Sequence, residues 1–399
     1  MKHGVTVILT LVYAVGAGGC TEEGTSSAAV AKRDSAGVTI IEHTAASWAG
    51  GPRWNVPEAP TVQIGVESGP PEYLFSGVVG AVRLSDGRIA VANGSSGEIR
   101  VYDGTGRFAT RVGGRGDGPG EFRRLAWLAA GPGDSLLAYD AEGRRFAVFT
   151  PGGAFQRSVP VAAQSTGSPE LAGMFADGSV VAAERAAAAS AGPGLSSVPL
   201  LYLRYDRSGT LLDTLTTVPG PEQFTHLAQG AMSVTTPPFA RFPVAAARGE
   251  HAFVSANDRF QVDVLAPDGH LRALIRREGV PTPVTGAHLE EVIAAVPNEN
   301  ARRAYRATLA EMPRNRTMPA FSDFVADGSG NLWVREFGRR DELSTWHIVS
   351  PRPVAPASIE LPSTFRPTDI GEDYVLGVWT DYQGVEHVRL YPVSKQGVE

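Results

Sequence analysis

Ala-Val-Arg-Leu-Ser-Asp-Gly-Arg-Ile-Ala-Val-Ala (81–92) is followed by Glu-Ile-Arg-Val-Tyr-Asp-Gly-Thr-Gly-Arg-Phe (98–108), and the pattern then starts again. The second copy reads Gly-Asp-Ser-Leu-Leu-Ala-Tyr-Asp (133–140) and Arg-Phe-Ala-Val-Phe-Thr-Pro-Gly-Gly-Ala-Phe (145–155). Asp-Gly between two apolar runs is a strong hairpin signal, because glycine adopts the positive φ of the turn at little cost. Each copy therefore predicts a four-stranded meander, which is the unit of a β-propeller blade.

The turn between the first two strands of this unit recurs along the whole chain. Its six copies are Asp86-Gly87, Gly133-Asp134, Asp177-Gly178, Gly249-Glu250, Gly330-Asn331 and Glu372-Asp373. They predict an all-β fold, a six-bladed β-propeller. The final copy offers strands at 368–370, 374–380 and 385–392, so a fourth strand has to come from the N-terminal segment, from Thr61–Ile64 or Val38–Ile41. N- and C-terminal strands that share the closing blade would remove the open edge of the sheet.

The third, fourth and fifth copies are farther apart than the others, which predicts insertions. The first extra length, 186–197 plus 219–238, is rich in Ala, Gly, Ser and Pro and is predicted to be loop. The second contains Leu289, Val292, Ile293 and Val296 at i, i+3, i+4 and i+7, which is the stripe of an amphipathic helix. Pro297 ends that helix and Asn298 can cap another. A small helical insertion is expected at about 285–312.

The N-terminus has the features of an export signal. Lys2 precedes an apolar segment, Val5–Ala17, which is too short to span a bilayer. Ala-Gly-Gly-Cys (17–20) is similar to a bacterial lipobox and contains the chain's only cysteine, so we expect lipid attachment at Cys20. The alternative is an ordinary secretory signal with an incidental cysteine. The expected organisation is a signal peptide at 1–19, a lipidated flexible tether at 20–36 and the propeller at 37–399, exported to the periplasm or cell surface, with the outer membrane favoured.

A resemblance follows from the joint Gly-Arg-Gly-Asp-Gly-Pro-Gly-Glu-Phe (114–122) and from Asp-Gly-Ser-Gly-Asn-Leu-Trp-Val (327–334). Both resemble the NHL repeat, and residues 37–395 are similar to bacterial six-bladed β-propeller lipoproteins of NHL-repeat-like type. The resemblance implies the fold and export. It implies no shared activity, because propellers include lactonases, lyases, receptors and scaffolds.

Charge narrows the range of partners. The chain carries 36 Lys and Arg against 42 Asp and Glu, a formal net charge of −6, and no basic stripe. Nucleic acid is therefore not an expected partner, since phosphate binding needs clustered cations. A protein or a small polar ligand is expected instead, with the membrane contacted through the lipid anchor only.

The propeller geometry suggests where a ligand would bind. Each connector returns to the axis before the next inner strand, so residues just after the joints are expected at one mouth of the channel. These candidate ligand-binding residues are Glu72, Tyr73, Arg123, Arg124, Arg241 and Asp323. Convergent polar groups in a concave place favour a ligand site. The alternative is that these side chains form salt bridges between blades or face solvent.

No catalytic signature appears. The histidines after the leader are scattered, at 43, 226, 251, 270, 288, 347 and 387, and there is no Gly-x-Ser-x-Gly elbow. Gluconolactonase-like propellers hold a divalent cation between acidic and Asn side chains, which makes Asn93, Asn257 and Asp323 candidates; surface turn residues are the other interpretation. The favoured function is a ligand- or protein-binding or scaffold module. The alternative is a divalent-cation-dependent lactonase- or lyase-like enzyme with its site at the channel mouth.

Overall fold

The computed structural model describes residues 30–164, 167–186, 193–228, 231–279, 281–338 and 342–395. Its strands confirm the six-bladed propeller. The innermost strands of the blades contact one another in a closed cycle, in which each touches the next and the last touches the first. The blades therefore stand around one axis, and their inner strands surround a central channel.

The blades are numbered in chain order, and their strands are given from inside to outside. Blade 1 contains Val78–Arg83, Ile89–Asn93, Glu98–Tyr102 and Phe108–Gly113; blade 2 contains Leu125–Ala130, Leu136–Asp140, Arg145–Phe149 and Phe155–Pro160. Blade 3 contains Glu170–Phe175, Val180–Arg185, Leu200–Tyr205 and Leu211–Val218; blade 4 contains Val244–Gly249, His251–Ser255, Gln261–Leu265 and Leu271–Arg277. Blade 5 contains Phe321–Ala326, Leu332–Glu336, Leu343–Val349 and Ala357–Pro362; blade 6 contains Phe365–Ile370, Tyr374–Thr380, Glu386–Pro392 and Val62–Ile64.

All six predicted turns join the first strand of a blade to the second. In blades 1, 3 and 4, the turn between the third and fourth strands is held by an aspartate: Asp103, Asp206 and Asp268. In blade 1, Asp103 Oδ1 accepts the backbone N–H groups of Thr105 at 2.9 Å and Arg107 at 3.0 Å, while Gly106 has φ +87°. Hydrogen bonds from Thr105 and Arg107 hold the pKa of Asp103 below its usual value. The aspartate therefore fixes the turn before the next strand begins.

The core lies between blades. Six clusters of buried apolar side chains each join two neighbouring blades, and the ring of clusters is closed by one between blades 6 and 1. Phe122, the last residue of the glycine-rich joint, is fully buried in the cluster between blades 1 and 2. Each such side chain stabilises the fold by about 1.5–3 kcal/mol relative to exposure. The blades hold one another in place through these faces.

Val62–Ile64 closes the ring. It pairs antiparallel with Glu386–Pro392, with Ile64 opposite Val388 and Val62 opposite Leu390, and all four are buried against blade 1. The prediction that the two chain ends share the last blade is confirmed. Of its two candidate strands, Thr61–Ile64 provides the closure and Val38–Ile41 does not.

The rest of the N-terminal segment forms a belt over the outer edges of blades 4 to 6. Val38–His43 pairs in parallel with Leu271–Arg277 of blade 4, and Ala31–Ser35 pairs with it in turn. The belt then crosses blade 5, where Ser358 N donates to Pro52 O at 2.9 Å. It reaches blade 6 through the short pair Trp54–Asn55 and Ser394–Lys395. The belt covers edges that would otherwise expose unpaired backbone groups.

Two expectations for this region differ from the structure. Residues 31–35 were expected within the flexible tether, but they form a strand because the edge of Val38–His43 offers them backbone partners. Val38–His43, the other candidate for the closing strand, pairs with blade 4 instead of blade 6, because Ile41 is fully buried against the apolar side chains of blade 4. Cys20 and the expected signal peptide lie outside the described residues.

The insertions lie where the spacing placed them, but the first is not loop. It forms a three-stranded sheet, with strands Gly194–Ser197, Glu222–Ala228 and Ala231–Thr235.

The second insertion is the expected helical one between blades 4 and 5, with helices Gly286–Ala294 and Glu299–Glu311. Thr285 caps the first helix. Asn298 caps the second helix, since its Oδ1 accepts a hydrogen bond from Ala301 N at 2.9 Å. The remaining helices are Ala45–Ala49 and the 3-10 turns Pro71–Tyr73 and Pro132–Asp134.

His43 ends the parallel strand and is fully buried. Neither ring nitrogen has a hydrogen-bond partner among the described residues, and the ring meets Trp48 edge-on at 5.7 Å. Burial lowers the pKa of His43 to about 4. The neutral imidazole therefore behaves as an apolar side chain here.

This burial predicts a pH dependence of stability. Between pH 6.5 and 4 the unfolded chain binds a proton at His43 that the folded chain does not, so stability falls as the pH falls through this window. At about 1.4 kcal/mol per pKa unit, His43 accounts for up to about 3 kcal/mol. We expect His43→Phe to flatten the dependence of the urea midpoint on pH. His270→Phe, at an exposed position, is the control. If the urea midpoint of His43→Phe depended on pH as strongly as that of the wild type, the interpretation would be contradicted.

Candidate functional site

The central channel holds a cavity of about 280 Å³ that is lined by residues from all six inner strands. Most of its wall is made of small and apolar residues, including Gly80, Ala129, Ala172, Ala246 and Val325. Its charged lining residues are Arg83, Arg248, Arg366 and Asp369. Three arginines face one aspartate in a chain whose formal net charge is −6. The cavity lining therefore carries a net positive charge, although the protein as a whole carries a net negative charge.

Asp369 organises the mouth at the C-terminal ends of the inner strands. Its Oδ1 accepts from Arg248 Nη1 at 2.8 Å, and its Oδ2 accepts from Arg83 N and from the Tyr374 hydroxyl, both at 2.9 Å. Only 7% of the Asp369 side chain is exposed. Burial, together with the Asp369 charge, raises the pKa of Tyr374, so its hydroxyl remains a donor. Asp369 thus connects blades 1, 4 and 6 across the axis.

The guanidinium groups of Arg83 and Arg248 have N–H donors that no acceptor among the described residues uses. The Arg83 guanidinium lies 4.7 Å from the centre of the Tyr374 ring, an orientation that cation–π attraction favours. Among the described residues, that guanidinium makes no ion pair and no hydrogen bond. Arg248 uses Nη1 on Asp369 and on Ile370 O, and its other guanidinium nitrogens have no hydrogen-bond acceptor among the described residues. Two guanidinium groups at one mouth can therefore receive an anion.

Arg366 lies at the opposite end of the cavity and has a structural role. Its Nη2 donates to Val78 O at 2.6 Å, while Val78 N donates to Glu386 Oε2 at 2.9 Å. Burial lowers the pKa of Arg366, and the charges of Glu386 and Asp323 act in the opposite direction. These contacts fasten the first inner strand to blade 6.

Glu72 and Tyr73 do not lie at the channel mouth. The Tyr73 hydroxyl accepts from Phe108 N at 2.9 Å, its ring centre lies 5.9 Å from that of Tyr102, and the Tyr102 hydroxyl donates to Glu72 O. Both residues therefore pack against the outer strands of blade 1. The geometric argument fails for them because the connector from blade 6 first crosses the outer part of blade 1 before it reaches the axis.

The other four predicted residues contact charged side chains of this chain; they are Arg123, Arg124, Arg241 and Asp323. Arg123 pairs with Asp117, and Arg124 approaches Glu142 at 3.9 Å; all four of these side chains are exposed. Arg241 Nη1 lies 3.5 Å from Glu222 on the inserted sheet. Asp323, in the inner strand of blade 5, accepts from Arg335 Nε at 2.9 Å. The structure brings none of the six predicted residues into the cation-lined mouth.

Asn93 and Asn257 are buried and bind backbone groups. Asn93 Oδ1 accepts from Ser76 N at 2.9 Å, and Asn257 Oδ1 accepts from Phe321 N at 2.8 Å. They are neither surface turn residues nor oxygen ligands left free for a cation. In the described ranges, no three or more His, Cys, Asp or Glu side chains are grouped so that they could hold a metal ion.

Sequence reasoning missed Arg83, Arg248 and Asp369 because it considered only the residues that precede the inner strands. The three residues instead lie just before the turn that ends an inner strand, at Asp86-Gly87, Gly249-Glu250 and Glu372-Asp373. A charged residue at that place in one blade is unremarkable. Arg83 and Asp369 stand three residues before their turn pair and Arg248 stands one residue before it, so the repeat alignment alone does not single out the three.

A family model described as a 6-bladed beta-propeller, DUF5128, matches residues 72–158. This stretch covers blade 1 and nearly all of blade 2. None of the curated proteins compared with the chain matches it. The chain is thus similar to this family over its most regular repeats.

Solved propeller structures resemble the chain over most of its length. A protein from Bacteroides fragilis NCTC 9343 that is described as exported shares 13% identity, with 90% of this chain and 99% of that chain covered and a TM-score of 0.49. Virginiamycin B lyase from Staphylococcus aureus with quinupristin shares 9% identity, with 86% and 99% covered and a TM-score of 0.42. Similarity at this level concerns the fold alone. Within the described residues, no helix is long and apolar enough to cross a membrane.

The anchoring role of Asp369 predicts a loss of stability when its carboxylate is removed. Asp369→Ala leaves Arg83 N–H and the Tyr374 hydroxyl without their acceptor, and Arg248 without its partner. We expect the free energy of unfolding in urea to fall by about 2–4 kcal/mol. Asp373→Ala, at an exposed position nearby, is the control and should cost less than about 0.5 kcal/mol. Equal, small losses in both variants would show that Asp369 is not the anchor.

Proposed function

We propose that this protein is an exported, lipid-anchored propeller that binds a small organic anion in its central channel. The observation that carries the proposal is the guanidinium of Arg83, which is held over the Tyr374 ring and has no acceptor among the described residues. Arg248 lines the same cavity, and its guanidinium has N–H groups with no acceptor among the described residues. Guanidinium groups bind carboxylates and phosphates through paired, charge-assisted hydrogen bonds.

The residues of the cavity favour binding over catalysis. Its lining contains arginines, one aspartate, one threonine and otherwise apolar or glycine residues, with no histidine, cysteine, lysine or glutamate among the described residues. General acid–base catalysis works best with a group whose pKa lies near the working pH. The arginine-rich lining also argues against a divalent cation at this mouth, since like charges repel. A binding module is therefore preferred to the lactonase- or lyase-like alternative.

Membrane attachment is the second part of the proposal. The lipobox-like Ala-Gly-Gly-Cys (17–20) and the polar residues after it support lipidation at Cys20. The belt places the start of the described chain at the outer edge of blade 4, away from the channel. A tether attached there would leave both mouths accessible.

Lipidation predicts a cysteine-dependent membrane association. When the full chain is expressed in a Gram-negative host with labelled palmitate, we expect label in the wild type and none in Cys20→Ser. The wild type should fractionate with the outer membrane, whereas Cys20→Ser should be released in soluble form. Wild-type protein without label, in the soluble periplasmic fraction, would instead support an ordinary secretory signal.

Anion binding predicts selective stabilisation by ligands. Glucuronate and citrate should raise the melting temperature and give measurable heats of binding, whereas glucose should not, because a ligand that binds only the folded state stabilises it. Arg83→Gln keeps the backbone N–H that Asp369 accepts and removes the guanidinium. We expect at least tenfold weaker binding of the anions in Arg83→Gln and in Arg248→Gln, which is about 1.4 kcal/mol.

Arg107→Gln is the matched control, because Arg107 is exposed and does not line the channel. Its affinity for the anions should equal that of the wild type. Equal affinities in all variants would contradict the proposed site. Stabilisation by calcium or zinc with no response to anions would favour the enzymatic alternative.

A further inference from the structure

The two insertions pack against each other and form a unit outside the ring of blades. Phe224 of the inserted sheet is buried together with Ile293, Leu309 and Met312 of the two helices. Across the same contact, His226 Nε2 lies 2.8 Å from Glu311 Oε2. The helical hairpin and the inserted sheet therefore share a small core, separate from the six clusters between blades.

This unit contains a cavity of about 310 Å³. Its apolar wall includes Phe239, Leu289, Ile293, Leu309 and Met312. The volume lies at the lower end of the range for ligand pockets, about 300–1,000 Å³. The cavity is partly open to solvent, because Gly286, Glu290 and Arg314 of its lining are exposed. The cavity therefore suits a small apolar body.

Phe239 is held in an unusual backbone conformation at this cavity. Its φ is +57°, in the left-handed region that bulky residues rarely adopt, and such strain costs about 1–3 kcal/mol. Asn315 Nδ2 donates to Phe239 O at 3.0 Å and to Glu222 Oε2 at 2.7 Å. Glu222 Oε2 also accepts from Arg241 N at 2.8 Å. This network fixes the aromatic residue that forms part of the wall, and strain of this kind tends to persist at functional sites.

The rim of the cavity is charged. Glu290 Oε2 and Arg306 Nη2 form an ion pair at 2.9 Å between the two helices. Arg314 also lines the cavity, is exposed, and has no ion pair or hydrogen bond of its guanidinium among the described residues. Counted over the described residues, the rim thus carries one neutralised ion pair and one cation without a partner, Arg314, above an apolar interior.

We propose that this pocket binds a small monocarboxylate with an apolar body, which places its hydrocarbon against the helices and its carboxylate at Arg314. The site is independent of the channel and does not rest on the function proposed above. The channel cavity is cationic at its mouth and receives a polar anion; the pocket of the insertion selects instead for an apolar chain with one charged end.

The first test uses octanoate as the probe and adds bulk at a lining position of the pocket. Gly286 lines the cavity, and a Cβ built on it meets no atom within 4 Å, so Gly286→Leu adds a side chain in open space. Calorimetric titration should show at least tenfold weaker binding of octanoate to Gly286→Leu than to the wild type. Ala287→Leu adds the same side chain at the exposed neighbouring position and should bind like the wild type.

The second test addresses the charge at the rim. Arg314→Gln should weaken octanoate about two- to fivefold, the effect expected of one exposed ion pair, and should leave the neutral octan-1-ol unchanged. Arg303→Gln is the control, because Arg303 is exposed on the second helix and does not line the cavity. Octylammonium should bind more weakly than octanoate.

The outcomes separate this site from the channel. Octanoate binding that survives Arg83→Gln and is lost in Gly286→Leu supports the proposal. Binding that is unaffected by Gly286→Leu, or lost only in Arg83→Gln, overturns it. Failure of glucuronate and citrate to bind the channel leaves the octanoate result unchanged, so the two proposals fail separately.

Discussion

The pairing of Val62–Ile64 with Glu386–Pro392 turns a row of sheets into a ring. Each blade has two apolar faces, and a face is buried only if a neighbour stands on that side. Without the closing strand, the face of blade 6 that receives blade 1 would lose Val62 and Ile64. The strand has three residues, too few for a stable pairing alone. The belt across blades 4 and 5 brings it to its place and reduces the chain entropy lost on closure.

A second constraint acts where the inner strands begin. Backbone N–H groups at or just before these strands donate to side-chain acceptors rather than to a neighbouring strand. Asn93, Asp140 and Glu184 provide these acceptors in the first three blades, for Ser76 N, for Arg123 and Arg124 N, and for Gln164 N. Asn257 does the same for Phe321 N. These side chains look like ligand residues in the sequence, because amide and carboxylate oxygens suit cations as well as N–H donors.

The repeat made the blades and their turns predictable, because Asp-Gly turns and alternating apolar runs are local signals. Closure was predictable by counting strands, although the choice between two N-terminal strands depended on whether Ile41 or Ile64 fits the exposed face of blade 6. The inserted sheet was missed since Glu222–Ala228 is framed by Pro and Gly residues that indicate loop. The site was missed for a different reason. Arg83, Arg248 and Asp369 lie 121 to 286 residues apart where they hydrogen-bond, and no local pattern carries that relation.

The position of Arg83 bears on how an acidic protein would bind the anion proposed above. With a formal net charge of −6, the chain as a whole repels anions, but at physiological ionic strength this repulsion is screened beyond about 8 Å. A guanidinium that contacts its ligand directly acts well inside that distance, where the attraction between opposite charges is strongest. Asp369 neutralises one arginine at most, while it also orients Arg248 and holds the backbone of Arg83. The same carboxylate that stabilises the mouth therefore leaves it with the positive charge that a ligand can use.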